Sequence, residues 1–402
     1  MRAVMSSFSI GTVVLTLATT LACSSEGVVG SLAGKGDGGA DGAVVDEEAG
    51  AVEPLTPHTN AIAAGGASTC VKTMAGDVKC WGENGSGSLG IGDTEPSSSA
   101  TPVSPTPLGK VRFVAAGERA HCAMGTNTKV YCWGDIFIGD FNGQPIDHLP
   151  APSPFSIEAS GDIASVAVGR YFTCLLGVGG DVRCFGLNDK GQLGVGSTDK
   201  QYLPTTVNGL DGPVTSISAS MGGLFVCATT HPGSVYCWGD GANGQLGGER
   251  GVVTTPRKVE GLSNRAAQVV AGGSHVCARL YGGAVQCWGS GDRGQLGDGM
   301  KKSSSSPVDT LYLTDVVSLA AGLSHTCAAR REGTVFCWGD DTEGQVGSTP
   351  DPSRPSLVRP ASFGAQLVTC GLAHSCAWAP DGRMECWGSN DRAQLGPGKA
   401  TF

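Results

Sequence analysis

Charged residues are scarce in this chain. Asp, Glu, Lys and Arg make up 16% of its 402 residues, against about 25% in an ordinary soluble domain. A long coiled coil, which needs Ala, Glu, Lys and Leu in bulk, is thereby excluded. Positive charge is the scarcer sign: 27 Lys and Arg face 36 Asp and Glu, for a net charge of −9. Without a cationic footprint there is little to hold a phosphate backbone, so nucleic acid is not an expected partner. Motifs of hydrolytic chemistry are missing as well. The chain has no H-E-x-x-H, no G-x-S-x-G and no S-x-D-x-G-x-T-W box. The seven histidines, His58, His121, His148, His231, His275, His325 and His374, do not gather with carboxylates in the sequence. Nothing nominates a nucleophile or an acid–base pair. No catalytic residue, metal or cofactor is expected, and the chain is not read as an enzyme. Long apolar runs are also lacking, since residues 10–22 fall short of the about 20 residues a spanning helix requires.

What is present begins with that short run. Arg2 precedes it, small residues end it, and Cys23 follows, the pattern of a secretory signal peptide over 1–22. The end, Thr20-Leu21-Ala22-Cys23, resembles a bacterial lipobox, although Leu is usual where Thr20 stands. The resemblance implies a lipidated Cys23, and Ser24 and Ser25 imply the outer membrane. The protein is therefore expected to be exported and anchored through lipid alone, with ordinary secretion as the alternative. Residues 23–49 then read as a disordered tether rich in Gly and acids, without aromatics to bury. This segment contains GKGDGG, a formal match to G-x-G-x-x-G, but no strand precedes it and no helix follows.

Glycine and cysteine are abundant, at 64 and 16 residues. After Cys23 the cysteines fall into pairs ten residues apart: Cys70/Cys80, Cys122/Cys132, Cys174/Cys184, Cys227/Cys237, Cys277/Cys287, Cys327/Cys337 and Cys376/Cys386. Self-similarity at about 50 residues marks a solenoid, propeller or array. Each unit repeats the same punctuation. A Gly stands five residues before the first Cys (Gly65, Gly117, Gly169, Gly222, Gly272, Gly322, Gly371), and Trp-Gly follows the second. The third unit has Phe185-Gly186 instead. Then comes GQLG or a near copy, except in the second unit, which reads GDFN from Gly139.

The spacing of ten has a geometric reading. Antiparallel pairing of Cys277 with Cys287 leaves Tyr281-Gly282-Gly283 as a three-residue turn, whose last residue sits in the left-handed region where Gly is cheapest. Six units have Gly there. The second has Thr128, so its turn is expected to differ. Directly opposed residues are close enough to bridge, and such a cysteine count suits an oxidising compartment. Seven hairpin disulfides are expected. Zinc would need further ligands; His275, His325 and His374 precede a Cys by two residues in only three units and are expected to pack between strands. Cys370 is left over. It stands where other units carry Ala and is read as a small buried thiol, an intermolecular bridge or reactive thiol being the alternatives.

Four short strands per unit, repeated seven times, match an all-β seven-bladed propeller of four antiparallel strands per blade. The motifs AAG-x-x-H-x-C-A, G-x-V-x-C-W-G and GQLG resemble those of the regulator of chromosome condensation repeat family over residues 50–402. That resemblance implies one blade per repeat. Units one to six are each followed by a Pro- or Val-containing strand, whereas the chain stops soon after Gly396. Residues 50–55 are therefore expected to complete the last blade.

On this reading the protein is a binding module for an unknown protein or glycan, monomeric, with recognition carried by departures from the repeat. Those are residues 135–150, with Phe137, Phe141 and His148; residues 95–107; and residues 301–306, with Lys301 and Lys302. Nucleotide exchange on a small GTPase, implied by the name-giving family member, and a carbohydrate-active enzyme are the alternatives. The cysteine arithmetic is checked by mass spectrometry of the mature protein with and without reductant. At most two free thiols, at Cys370 and Cys23, are expected before reduction; more would contradict the pairing.

Overall fold

A computed structural model describes residues 61–402 apart from 96–97, 107, 140–144, 158, 160, 249, 348–355 and 358–362. These residues belong to the compact unit 53–402, whose fold is all-β. Seven separate sheets each contain four antiparallel strands taken consecutively from the chain. In blade five the strands are Ala266–Ala271, His275–Leu280, Val285–Gly289 and Ser304–Asp309. The first strands of all seven blades line one central cavity of about 210 Å3.

The hairpin register is the one the spacing of ten implies. Cys277 lies opposite Cys287, Ala278 opposite Gln286 and Arg279 opposite Val285. Cys70 opposes Cys80 in blade one, Cys122 opposes Cys132 in blade two, and Cys174 opposes Cys184 in blade three. Cys227 with Cys237, Cys327 with Cys337 and Cys376 with Cys386 do the same in blades four, six and seven. All seven pairs, Cys70–Cys80, Cys122–Cys132, Cys174–Cys184, Cys227–Cys237, Cys277–Cys287, Cys327–Cys337 and Cys376–Cys386, are disulfides, at Cα–Cα separations of 4.0–4.1 Å. The seven expected staples are therefore present, one per blade.

The closing turn of the blade-five hairpin places Gly283 at φ +82°. Thr128 of blade two adopts φ +65° at the same position, so its turn follows the common form and the expected difference is absent. Close approach between blades decides other glycines. A Cβ on Gly371 would stand 2.2 Å from the Gly65 carbonyl oxygen of blade one, and one on Gly322 would stand 2.4 Å from that of Gly371.

Each Trp of the Trp-Gly motif is buried and donates its indole N–H to the blade before it. Trp288, Trp338 and Trp387 reach the carbonyls of Gln245, Gln295 and Gln345 at 2.9–3.0 Å. Trp238 reaches Gln192, and Trp133 reaches Ser88, the residue in the Gln position of GSLG. Blade three is the exception, and its neighbour explains it. The sequence of blade two lacks GQLG, and blade three carries Phe185, which has no N–H to satisfy. Ile136 of blade two packs in the same buried cluster as Phe185.

Ring closure repeats this contact. Blade seven comprises Leu367–Cys370, His374–Trp378, Arg383–Gly388 and Lys399–Thr401. Its outer strand thus comes from the end of the chain, where Arg383 pairs with Thr401. Blade seven thus has four strands among the described residues; residues 50–55, expected to complete it, lie outside them. Trp81 of blade one donates to the Gln394 carbonyl of blade seven at 2.9 Å and stacks on Phe402.

The clasp yields a stability prediction. Trp338→Phe removes a buried hydrogen bond and is expected to cost about 1–2 kcal/mol, read as a lower denaturant midpoint. Phe185→Trp, which buries an N–H without the GQLG carbonyl, is expected to destabilise as well. A gain of stability in the second variant would contradict the account.

Candidate functional site

Blade two carries the largest departure from the repeat, and the structure shows it as strand. The third strand, Val130–Gly139, pairs with the fourth, Pro145–Ile157, from Val130 opposite Ile157 out to Gly139 opposite Pro145. The equivalent strand of blade four ends at Asp240, which corresponds to Asp135. Residues 135–139 and 145–150, singled out as a departure from the repeat, therefore form an arm of paired strand that continues the blade sheet; residues 140–144 lie outside the described residues. Phe137 and His148 lie on its two strands, and Phe141 lies outside the described residues. At its base Ile136 is buried among Val166, Val168 and Phe185 of blade three, so the arm is rooted in the seam between blades.

The other two candidate segments belong to other blades. Residues 98–103 form the outer strand of blade one, Ser98–Val103. Lys301 and Lys302 are exposed in blade five, just before its outer strand Ser304–Asp309. The sequence candidates are thus distributed over blades one, two and five.

The histidines of the repeat form a different constellation. His275, His325 and His374 are fully buried. Each reaches a hydroxyl on the next blade through Nε2: His275 to Thr326 at 2.8 Å, His325 to Ser375 at 2.9 Å, and His374 to Thr69 of blade one at 2.9 Å. Those hydroxyls already spend their protons on the Gln295, Gln345 and Gln394 carbonyls. The imidazoles must therefore donate from Nε2, leaving Nδ1 as a bare acceptor. Nδ1 faces the glycine five residues before the cysteine; a Cβ on Gly272, Gly322 or Gly371 would stand 2.5–2.6 Å from it. At the seam between blades one and two the roles are exchanged, with His121 reaching back to Ser68 at 2.8 Å. The seams on the opposite side of the ring are apolar there, with Phe172 beside Val226 and Phe225 beside Val276 in shared clusters. The expectation that these histidines pack between strands needs refining: they join blades. The signal was present in the sequence as His two residues before Cys in one unit and Ser or Thr one residue before Cys in the next.

Burial without a counter-charge penalises the imidazolium. It holds His121 and His325 down at about 3, and His275 and His374 at about 4. The Cys370 thiol is buried too, and desolvation pushes it up to about 12. A ring nitrogen of His325, Cys327 Sγ and Cys370 Sγ lie within 4.8 Å of one another. This grouping is not an open metal centre, because Cys327 is committed to the disulfide with Cys337. The same commitment holds round the ring, where Cys80, Cys132, Cys184, Cys237, Cys287 and Cys386 are each bonded to the first cysteine of their unit. None of them offers a thiolate to a metal.

The repeat has a match among known families. The sequence profile of the regulator of chromosome condensation (RCC1) repeat matches residues 179–228, 232–279, 282–329 and 332–378. A second profile of that repeat matches 163–192, 266–295 and 316–345, and together they cover more than half of the chain. The chain is 32% identical to the E3 ubiquitin-protein ligase HERC2 of Homo sapiens over 214 residues, 52% of this chain and 4% of that protein. It is 30% identical to the ultraviolet-B receptor UVR8 of Arabidopsis thaliana over 218 residues, 54% of this chain and 49% of that one. These matches span about half or less of the relatives' own lengths. Among solved structures, human WBSCR16 superposes with a TM-score of 0.68 at 23% identity, covering 79% of this chain and 86% of that one. Prp20p of Saccharomyces cerevisiae gives 0.69 at 20%, covering 81% and 83%. At these identities the structures show a shared fold.

The histidine seams make stability depend on pH. Each imidazole is neutral in the folded ring, while in the unfolded chain it protonates near 6.5. Their contribution is complete above that pH and is lost as pH falls. The expected slope is about 1.4 kcal/mol per pH unit per histidine down to the folded value. The double variant His275→Phe/Thr326→Val, which copies the apolar seams, should flatten the slope by one histidine in denaturant titrations at pH 7 and pH 5. An unchanged slope would refute the assignment.

Proposed function

Because the chain belongs to the regulator of chromosome condensation repeat family, we propose that it is an exported binding platform: a stapled propeller that holds one non-repetitive hairpin arm out to a protein or glycan partner. The arm of blade two carries this reading. The six other units carry GQLG or a near copy after the third strand, and this one instead continues both strands past the blade. Scaffold requirements account for the repeated residues; they do not call for the extra strand length at residues 136–139 and 145–149. A rigid base favours such a role, since a preorganised element loses less conformational freedom on binding.

The family supports a scaffold rather than one chemistry. A ubiquitin ligase and a light receptor share the repeat, and a fold hosts functions through the sites placed on it. Seven disulfides suit an oxidising compartment outside the cytosol. In this proposal the chain carries no enzyme activity of its own, acts as a monomer, and is held to the outer membrane through a lipid on Cys23.

The test removes the arm and keeps the blade. Ile136 pairs with Leu149, so deleting residues 137–148 and joining these two through Asn-Gly preserves a hairpin register. The variant is expected to keep its seven disulfides and its unfolding transition. It should lose the adducts that the full-length protein forms when a photo-crosslinking residue in place of the exposed Pro150, which pairs with Asp135 at the base of the arm, is activated in the native envelope, or lose binding to a glycan array. Identical adducts and glycan binding in the shortened variant would place recognition elsewhere. No binding by the intact protein in either assay would reject the platform itself.

A further inference from the structure

Fourteen cysteines are committed to hairpins, and the remaining described cysteine, Cys370, is beside one of them. It ends the inner strand of blade seven, Leu367–Cys370, against the second strand of blade six, His325–Arg330. Its Sγ lies within 4.8 Å of Cys327 Sγ, which is bonded to Cys337. Four groups face the thiol. The Ala320 carbonyl of blade six accepts its proton at 3.7 Å. Ser375 Oγ lies 3.8 Å from Cys370 Sγ, 3.4 Å from Cys327 Sγ and 2.9 Å from His325 Nε2. The Cys327 sulfur and a ring nitrogen of His325 complete the set.

We propose that Cys370 is a resident exchange nucleophile that can move the blade-six staple onto the seam between blades six and seven. The Cys370 thiolate attacks Cys327 Sγ. A Cys327–Cys370 bond forms, the Cys327–Cys337 bond breaks, and the electron pair leaves on Cys337 Sγ. The proton given up by Cys370 is returned to Cys337. The count of thiols and disulfides is unchanged, so no oxidant or reductant is consumed. What changes is connectivity. A bridge within one hairpin becomes a bridge between two blades, at a seam otherwise held by hydrogen bonds and packing. His325 and Ser375 supply the polar contacts next to the sulfurs.

The native surroundings latch the reaction. Only the thiolate attacks, and burial keeps Cys370 protonated at neutral pH. Exchange therefore proceeds when the thiol ionises or the seam opens.

The experiment uses the oxidised full-length protein, incubated between pH 7 and pH 10, quenched in acid, alkylated under denaturing conditions and mapped as peptides. The label is expected on Cys370 at first. It should pass to Cys337, accompanied by a Cys327–Cys370 linked peptide, at a rate that rises about tenfold per pH unit. Cys370→Ala should show no label on Cys337 under the same conditions. Cys337→Ser should fold with a Cys327–Cys370 disulfide. A label that stays on Cys370 throughout, a labelled Cys337 in the Cys370→Ala variant, or a folded Cys337→Ser protein with both thiols free would each overturn the proposal. If Cys337→Ser does not fold, the wild-type and Cys370→Ala time courses decide the matter alone.

Discussion

A main-chain carbonyl that accepts two hydrogen bonds from its neighbour is the contact on which this ring depends. Gln345 of blade six receives the Trp387 indole N–H at 3.0 Å and the Ser375 hydroxyl at 2.9 Å, both from blade seven. The same pair of donors converges on Gln394 at the closing seam and on Gln295 one seam earlier. A carbonyl has two lone pairs, so the arrangement satisfies it in full while burying a tryptophan. An unsatisfied indole N–H in the same place would carry a desolvation penalty of about 1–3 kcal/mol. That asymmetry explains why Trp and the GQLG turn occur together, and why Phe185 faces the one blade without the turn.

The clasp also joins the first blade to the last. Every sheet is contiguous in sequence, and the last blade is completed by Lys399–Thr401. The seven disulfides act within blades, each pinning one hairpin and closing a short loop. Apart from the seam between blades two and three, where Phe185 packs with Ile136, the seams are held by the clasp, by glycines that let backbones approach, and by either a histidine–hydroxyl pair or an aromatic–valine pair. Division of labour between covalent and non-covalent contacts leaves the seams as the places where pH and thiol chemistry can act. His325, Ser375, Cys370 and the Cys327–Cys337 bond all meet at one of them.

A scaffold so repetitive makes its exceptions informative. The arm of blade two replaces the turn motif in sequence, adjoins the one blade that carries Phe in place of Trp, and roots itself through Ile136 in that blade. Its position in a stapled sheet gives an extended element a firm base, which is the physical content of the binding-platform proposal.

The sequence alone determined the units, their hairpin register and all fourteen bridging cysteines, because a cross-strand pair ten residues apart is a local constraint. It also located blade two as the exception. Only the tertiary structure decided that the exception is an arm of strand, that the C-terminal residues finish blade seven, and that buried histidines join blades. It alone placed Cys370 beside a disulfide of the preceding blade. Those features arise from contacts between units about 50 residues apart or between the two ends of the ring. Local spacing carries no information about which neighbour a side chain meets once the circle closes.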